Sequence, residues 1–140
     1  MKKSLVLTII LTAALVIVAG CTKSTNVSTG RPIATVAINK LTATLSNATG
    51  QLKQGAQEVM LAFTDSSGQP VDVGAVSLNF HMPAMGSMAA MNDAVTVTTT
   101  STPGVYSGKV NIGMAGEWQG QLAYEGPAGT GKATFSVTAR

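Results

Sequence analysis

Apolar residues recur at every second position through most of this chain, and that period constrains the fold more than any other feature. Val59-Leu61-Phe63, Val76-Leu78-Phe80, Val95-Val97, Tyr106 with Val110 and Ile112, Trp118 with Leu122 and Tyr124, and Phe135-Val137 each set large side chains on alternate positions. A strand shows successive residues to opposite faces, so such runs bury one face and wet the other, whereas a helix needs a period near 3.6. Turn chemistry separates the runs. Asp65 to Pro70, Thr102-Pro103-Gly104, Gly113 to Gly116 and Gly126-Pro127-Ala128-Gly129 supply the positive or fixed φ at which a chain reverses. With Leu41 to Leu45 as a first strand, about seven strands follow at intervals of ~8–12 residues, the spacing of a sandwich. The expectation is all-β: an immunoglobulin-like antiparallel β-sandwich of about seven strands, spanning residues 38–140.

The start of the chain has a different character. Met1-Lys2-Lys3 is basic, and Leu5 to Ala19 is a 15-residue run broken only by Thr8 and Thr12. A bilayer span needs about 20 apolar residues. A short run with a basic flank and small residues at its end has the form of a signal peptide, over residues 1–20. Leu15-Val16-Ile17-Val18-Ala19-Gly20-Cys21 resembles a bacterial lipobox, and Cys21 is the only cysteine in the chain. The resemblance implies cleavage before Cys21, a thioether to diacylglycerol and often a further acyl chain on the new amino terminus. Two acyl chains hold a protein stably on a membrane where one gives marginal binding. Thr22, rather than Asp, after the cysteine looks like the outer-membrane sorting signal, if the host has an outer membrane. The expected location is the cell envelope, facing the periplasm or the exterior. Residues 21–37 carry Gly30 and Pro32 among polar residues without a period and read as the lipidated Cys with a flexible tether.

Without residues 1–20, seven basic side chains face six acidic ones. No basic cluster remains to attract nucleic acid, which is excluded as a partner. A lipidated Cys21 also leaves no disulfide, thiol nucleophile or zinc–thiolate site. With one histidine, and six carboxylates scattered singly, no pair for acid–base or nucleophilic catalysis is visible, and a binding module is favoured over an enzyme. Gly126-Pro127-Ala128-Gly129-Thr130-Gly131-Lys132-Ala133 nearly matches a phosphate-binding loop. It ends in Ala133 instead of a magnesium-binding hydroxyl, and only seven residues follow it, so it reads as a hairpin turn.

The chemistry is concentrated in His81-Met82-Pro83-Ala84-Met85-Gly86-Ser87-Met88-Ala89-Ala90-Met91, which holds the sole histidine and four of the seven methionines. Met82, Met85, Met88 and Met91 follow a stride of three, which suits a polyproline-like or 3₁₀ path with every third residue on one side. Thioethers are soft, uncharged donors that select Cu(I) over harder divalent ions. Methionine is also a core gap-filler. Against plain packing stand Pro83, Gly86 and Ser87, which suit a loop, the polar Asn92 and Asp93 that border it, and the use of Val, Leu and Phe in the other strands. Phase adds a constraint: Met82 continues the inward register of Val76, Leu78 and Phe80, so His81 faces the other way. His81 is a ligand if the chain twists or bulges at Pro83, and otherwise supports the ligands or is solvated. Loops at one pole of a sandwich bring Met82–Met91 beside Met114 and Trp118. Met114 is either a ligand or a core cap, and Trp118 either a core aromatic or a ring offered to the cation.

Three segments together resemble the YtkA-like/FixH-like envelope domains. They are Asn79-Phe80-His81-Met82-Pro83-Ala84-Met85-Gly86, then Pro103-Gly104-Val105-Tyr106-Ser107-Gly108, then Met114-Ala115-Gly116-Glu117-Trp118. The likeness extends over about residues 40 to 138 and rests on a Met-Pro-x-Met-Gly motif, a Gly-x-Tyr strand and a Met-x-Gly-x-Trp turn. Relatives occur beside heavy-metal efflux adaptors and oxidase assembly proteins, which implies copper handling and a copper donor or acceptor as partner. Many carry a His shortly after the Met motif, where this chain has Ser87-Met88, which favours a thioether Cu(I) site over Cu(II). The motif supports Met82 and Met85; Met88 and Met91 rest on spacing. The function expected is membrane-anchored Cu(I) binding for buffering, delivery or resistance. The alternative is a protein-interaction module that docks through the Met loop, since flexible Met surfaces adapt to many shapes.

Overall fold

The computed structural model describes residues 30–140. The expected signal segment 1–20, Cys21 and residues 22–29 of the expected tether lie outside the described residues. Nine strands follow in order: β1 (Arg31–Ile38), β2 (Leu41–Asn47), β3 (Gly55–Thr64), β4 (Ala75–Met82), β5 (Met91–Ala94), β6 (Thr96–Thr99), β7 (Val105–Ile112), β8 (Gly116–Gly126) and β9 (Gly129–Ala139). They form two sheets, β1-β2-β3-β7-β6 and β5-β4-β8-β9, with every neighbouring pair antiparallel. The molecule is a β-sandwich, and no helix occurs among the described residues.

Two strands go beyond the seven expected. β1 takes up residues 31–37, read above as tether, and pairs along β2 from Arg31↔Asn47 to Ile38↔Leu41. Its alternation is hidden because the register slips between Pro32 and Ala34, so that Ile33 falls out of step with Val36 and Ile38. Pro32 lacks an N–H, and the edge position of β1 makes that tolerable. β5 is the other addition, a short strand that starts at Met91, the last residue of the methionine segment, and contains a single large apolar residue.

β5 and β6 are consecutive in the chain but lie in different sheets. At Val95, buried between the layers, the chain crosses over. The Val95 N–H donates to the Leu78 carbonyl on β4 (2.9 Å), and the next residue opens the pairing of β6 with β7.

The core is what the alternation requires. Trp118, Phe63, Phe80, Leu45, Ile112, Leu122 and Val59 are sealed between the sheets. Phe63 meets the edges of Tyr106 (5.8 Å between centroids) and Tyr124 (5.6 Å), a favoured arrangement for ring quadrupoles. The Tyr106 hydroxyl ties the β3–β4 connection to the core. It accepts from the Val73 N–H (3.3 Å) and lies 3.1 Å from both Asp72 Oδ1 and the Gly74 carbonyl, to one of which its own hydrogen is given. Burial pushes this phenol's pKa above the ordinary tyrosine value. Residues 126–133 form the β8–β9 hairpin, with Gly126 paired to Gly129 and Lys132 inside β9, so the near-match to a phosphate loop is a turn. Two glycines, one in β8 and one in β9, are each roofed by the aromatic they pair with: Phe135 covers Gly120, and Tyr124 covers Gly131.

Candidate metal centre

His81 and Met82 close β4, and their alternation persists to the end of the strand. Met82 is 2% exposed inside the sandwich, while His81 is half-buried on the outer face. No bulge turns the imidazole inward, so His81 and Met82 do not face one ion. The Nδ1 of His81 lies 2.9 Å from Asn92 Oδ1, which in turn is 3.3 Å from Asn79 Nδ2. An amide oxygen only accepts, so the ring nitrogen facing it, Nδ1, carries a hydrogen, and Nε2 is the nitrogen outside this bond.

The methionine stride has a different basis from the one expected. β4 and β5 pair as Phe80↔Asp93, His81↔Asn92 and Met82↔Met91. Beyond them Met85 and Met88 exchange both backbone hydrogen bonds, 3.1 Å and 2.9 Å, around Gly86-Ser87. Gly86 has φ 56° and Ser87 has no positive φ, the pattern of a type II′ turn with Gly at its first central position. The segment is therefore the end of a β-hairpin, which corrects the polyproline or 3₁₀ path. The four methionines are two cross-strand pairs in one register, Met82 with Met91 and Met85 with Met88.

Those pairs have opposite surroundings. Met82 and Met91 lie against the turn between β7 and β8. A methyl group placed on Gly116 would sit 3.0 Å from Met82 Cε, and one on Gly113 would sit 2.6 Å from Met91 Cε. Between these glycines is Met114, half-buried and packed on the core. Three methionines are thus placed at one pole, two packed against the turn and one within it. Their turn is fastened from three directions. The Gly113 N–H donates to Asp93 Oδ2 (2.9 Å), the Gly113 carbonyl accepts from Gln54 Nε2 (3.1 Å), and the Met114 carbonyl accepts from Trp118 Nε1 (3.1 Å). Trp118, 1% exposed, is a core aromatic and a direct support of the Met114 backbone. Asp93, Gln54 and the two glycines were missed as contributors to this site, because their roles depend on pairings between remote segments.

Met85 and Met88, by contrast, are 55% and 43% exposed, the only large hydrophobic side chains so exposed among the described residues. Residues 83–90 are exposed throughout. A surface hollow lined by residues including Asn39, Ser77, Tyr124, Glu125 and Lys132 is at the far pole, where β4 begins and β8 ends. Among the described residues no three His, Cys, Asp or Glu side chains converge as metal ligands.

Comparison with known families matches residues 35–123 to the YtkA-like family, a span that contains the methionine hairpin, the Gly113–Gly116 turn and Trp118. The chain belongs to the YtkA-like family. Neither a curated protein nor a solved structure matches it. In this YtkA-like domain the matched region ends within β8, and β9 completes the second sheet beyond it.

Proposed function

We propose that this YtkA-like domain binds Cu(I) through methionine sulfur and serves the cell envelope as a copper-buffering, delivery or resistance module, tethered by a lipid on Cys21. The observation that carries this reading is the gathering of Met82, Met91 and Met114 around the β7–β8 turn, with Met85 and Met88 paired at the tip of the same hairpin. Five neutral sulfurs at one pole offer a soft ion the donors it prefers. Thioethers also release a metal without taking up a proton, unlike thiolates, which suits a carrier. His81, with Nε2 free for a ligand, is an auxiliary donor on the outer face rather than a partner of Met82. Trp118 holds the Met114 backbone. The domain acts by binding, without a catalytic step, and a copper pump or oxidase assembly factor fits as donor or acceptor.

The test is an anaerobic Cu(I) competition titration of the chain against a variant with Met82, Met85, Met88 and Met91 changed to Leu. Tight binding by the natural chain that the variant loses supports the proposal; equal or absent binding in both overturns it. The exposure of Met85 and Met88 favours one second reading, in which the tip is a hydrophobic contact for a protein partner. That reading requires partner binding that survives removal of copper.

A further inference from the structure

The hairpin register divides the methionines in a way that a single four-sulfur cage does not accommodate. Met82 and Met91 are directly opposed, and so are Met85 and Met88. Facing positions on paired strands place their Cβ atoms about 4.5–5.5 Å apart, within easy reach of two flexible thioether arms. Each pair is thus preset to share an ion. Between the pairs, three residues of extended chain span about 10 Å, and strict alternation over three residues reverses the face. Exposure follows that reversal: Met82 is sealed under the β7–β8 turn, whereas Met85 and Met88 project into solvent.

We propose that the hairpin carries two separate Cu(I) stations: an inner one made by Met82, Met91 and Met114, and an outer one made by Met85 and Met88 at the tip. This rests on the copper reading above and deepens it. The outer pair is the exchange point, because its sulfurs are met first by an arriving ion or carrier. The inner set retains the ion, since Met82 is sealed in the core, Met91 and Met114 are half-buried beside it, and their turn is fixed by Asp93, Gln54 and Trp118. Only the inner station adjoins the single tryptophan, through Met114, so Trp118 emission reports on inner occupancy alone.

The experiment uses the full-length chain in mild detergent, titrated anaerobically with Cu(I) against a chromophoric chelator while Trp118 fluorescence is followed. Two variants are compared, M85L with M88L and M91L with M114L; circular dichroism confirms that both remain folded, and Met82 is left in place because it is core. The natural chain is expected to take two equivalents. The tip variant keeps one equivalent with the full Trp118 response, loaded at least several-fold more slowly. The turn variant keeps one without that response. A natural chain that saturates at one equivalent, abolished by either variant, overturns the two stations and leaves the copper reading standing. No Cu(I) binding by the natural chain overturns both. An unchanged loading rate in the tip variant overturns the exchange role.

Discussion

Met82 is at once a core residue and a proposed ligand, and two substitutions separate the roles. Met82→Ala removes three heavy atoms from a site 2% exposed, next to Gly116 and between packed sheets, where the neighbouring strands have little freedom to collapse. Large-to-small changes at such positions cost about 2–5 kcal/mol, from lost transfer energy plus the cavity left behind. For a domain of this size that lowers the thermal midpoint by on the order of 10–20 °C. Met82→Leu keeps the volume and removes only the sulfur, so its cost stays below about 1.5 kcal/mol and its midpoint moves by a few degrees. Copper affinity should sort the same variants differently. Losing one of three inner donors weakens Cu(I) binding by at least about tenfold in both, or ~1.4 kcal/mol. The assay pairs a thermal melt of the copper-free chain with an anaerobic Cu(I) titration well below the melting range of the Ala variant. A Leu variant with native stability and native affinity would refute the ligand role. An Ala variant with native stability would refute the packing argument.

Three further outcomes follow from other parts of the molecule. Tyr106→Phe strands the buried Val73 N–H and should cost about 1–3 kcal/mol, seen as a midpoint roughly 5–15 °C lower; a change under one degree would show that the hydroxyl network is dispensable. Hydrogen bonds from the Ser67 hydroxyl (2.6 Å) and then the Gln69 N–H hold the Asp65 carboxyl below its ordinary pKa, so its contribution is present above the unfolded value of 3.8 and is lost as pH falls through the lower folded value. Asp65→Asn should therefore flatten the acid limb of a stability–pH profile, and an identical limb would count against the bonds. Under limiting hydrogen peroxide, peptide mapping should find sulfoxide at Met85 and Met88 well before Met82, in the order of their exposure; early oxidation of Met82 would contradict the buried placement.

Sequence periodicity carried the fold far because six of the strands put large side chains on one parity, and burial of one sheet face demands that. It failed where parity was masked. In β1 the shift at Pro32 moves Ile33 out of phase with Val36 and Ile38, so an edge strand reads as a tether. In β5, Asn92 and Asp93 are polar for different reasons, one facing His81 and the other bonded to Gly113. The inward phase of Met82 and the outward phase of His81 were legible from β4 alone. The stride of three was legible too, but its meaning depended on a partner strand. Met-x-x-Met-Gly-Ser-Met-x-x-Met is symmetric about Gly86-Ser87, and Gly-Ser between such arms is itself a two-residue hairpin signal. What the chain order does not reveal is that Gly113 and Gly116 leave room for the ends of Met91 and Met82, a relation between segments that meet only after both sheets have formed.

The crossing at Val95 helps give the base and the tip of the methionine hairpin unequal thermodynamic standing. The arm that contains Met91 runs straight into β6 and is stitched to both layers, so its backbone freedom is surrendered when the domain folds. An ion arriving there meets donors whose ordering cost has already been met. At the tip, long exposed side chains still have rotamers to give up, and each immobilised one costs about 0.5–1.5 kcal/mol. Copper bound near the crossing should therefore show a smaller entropic penalty than copper bound at the tip, although the donor atoms are the same element in the same kind of side chain. In the two-station reading, the crossing between β5 and β6 would thus grade the affinity of chemically equivalent ligands along one hairpin.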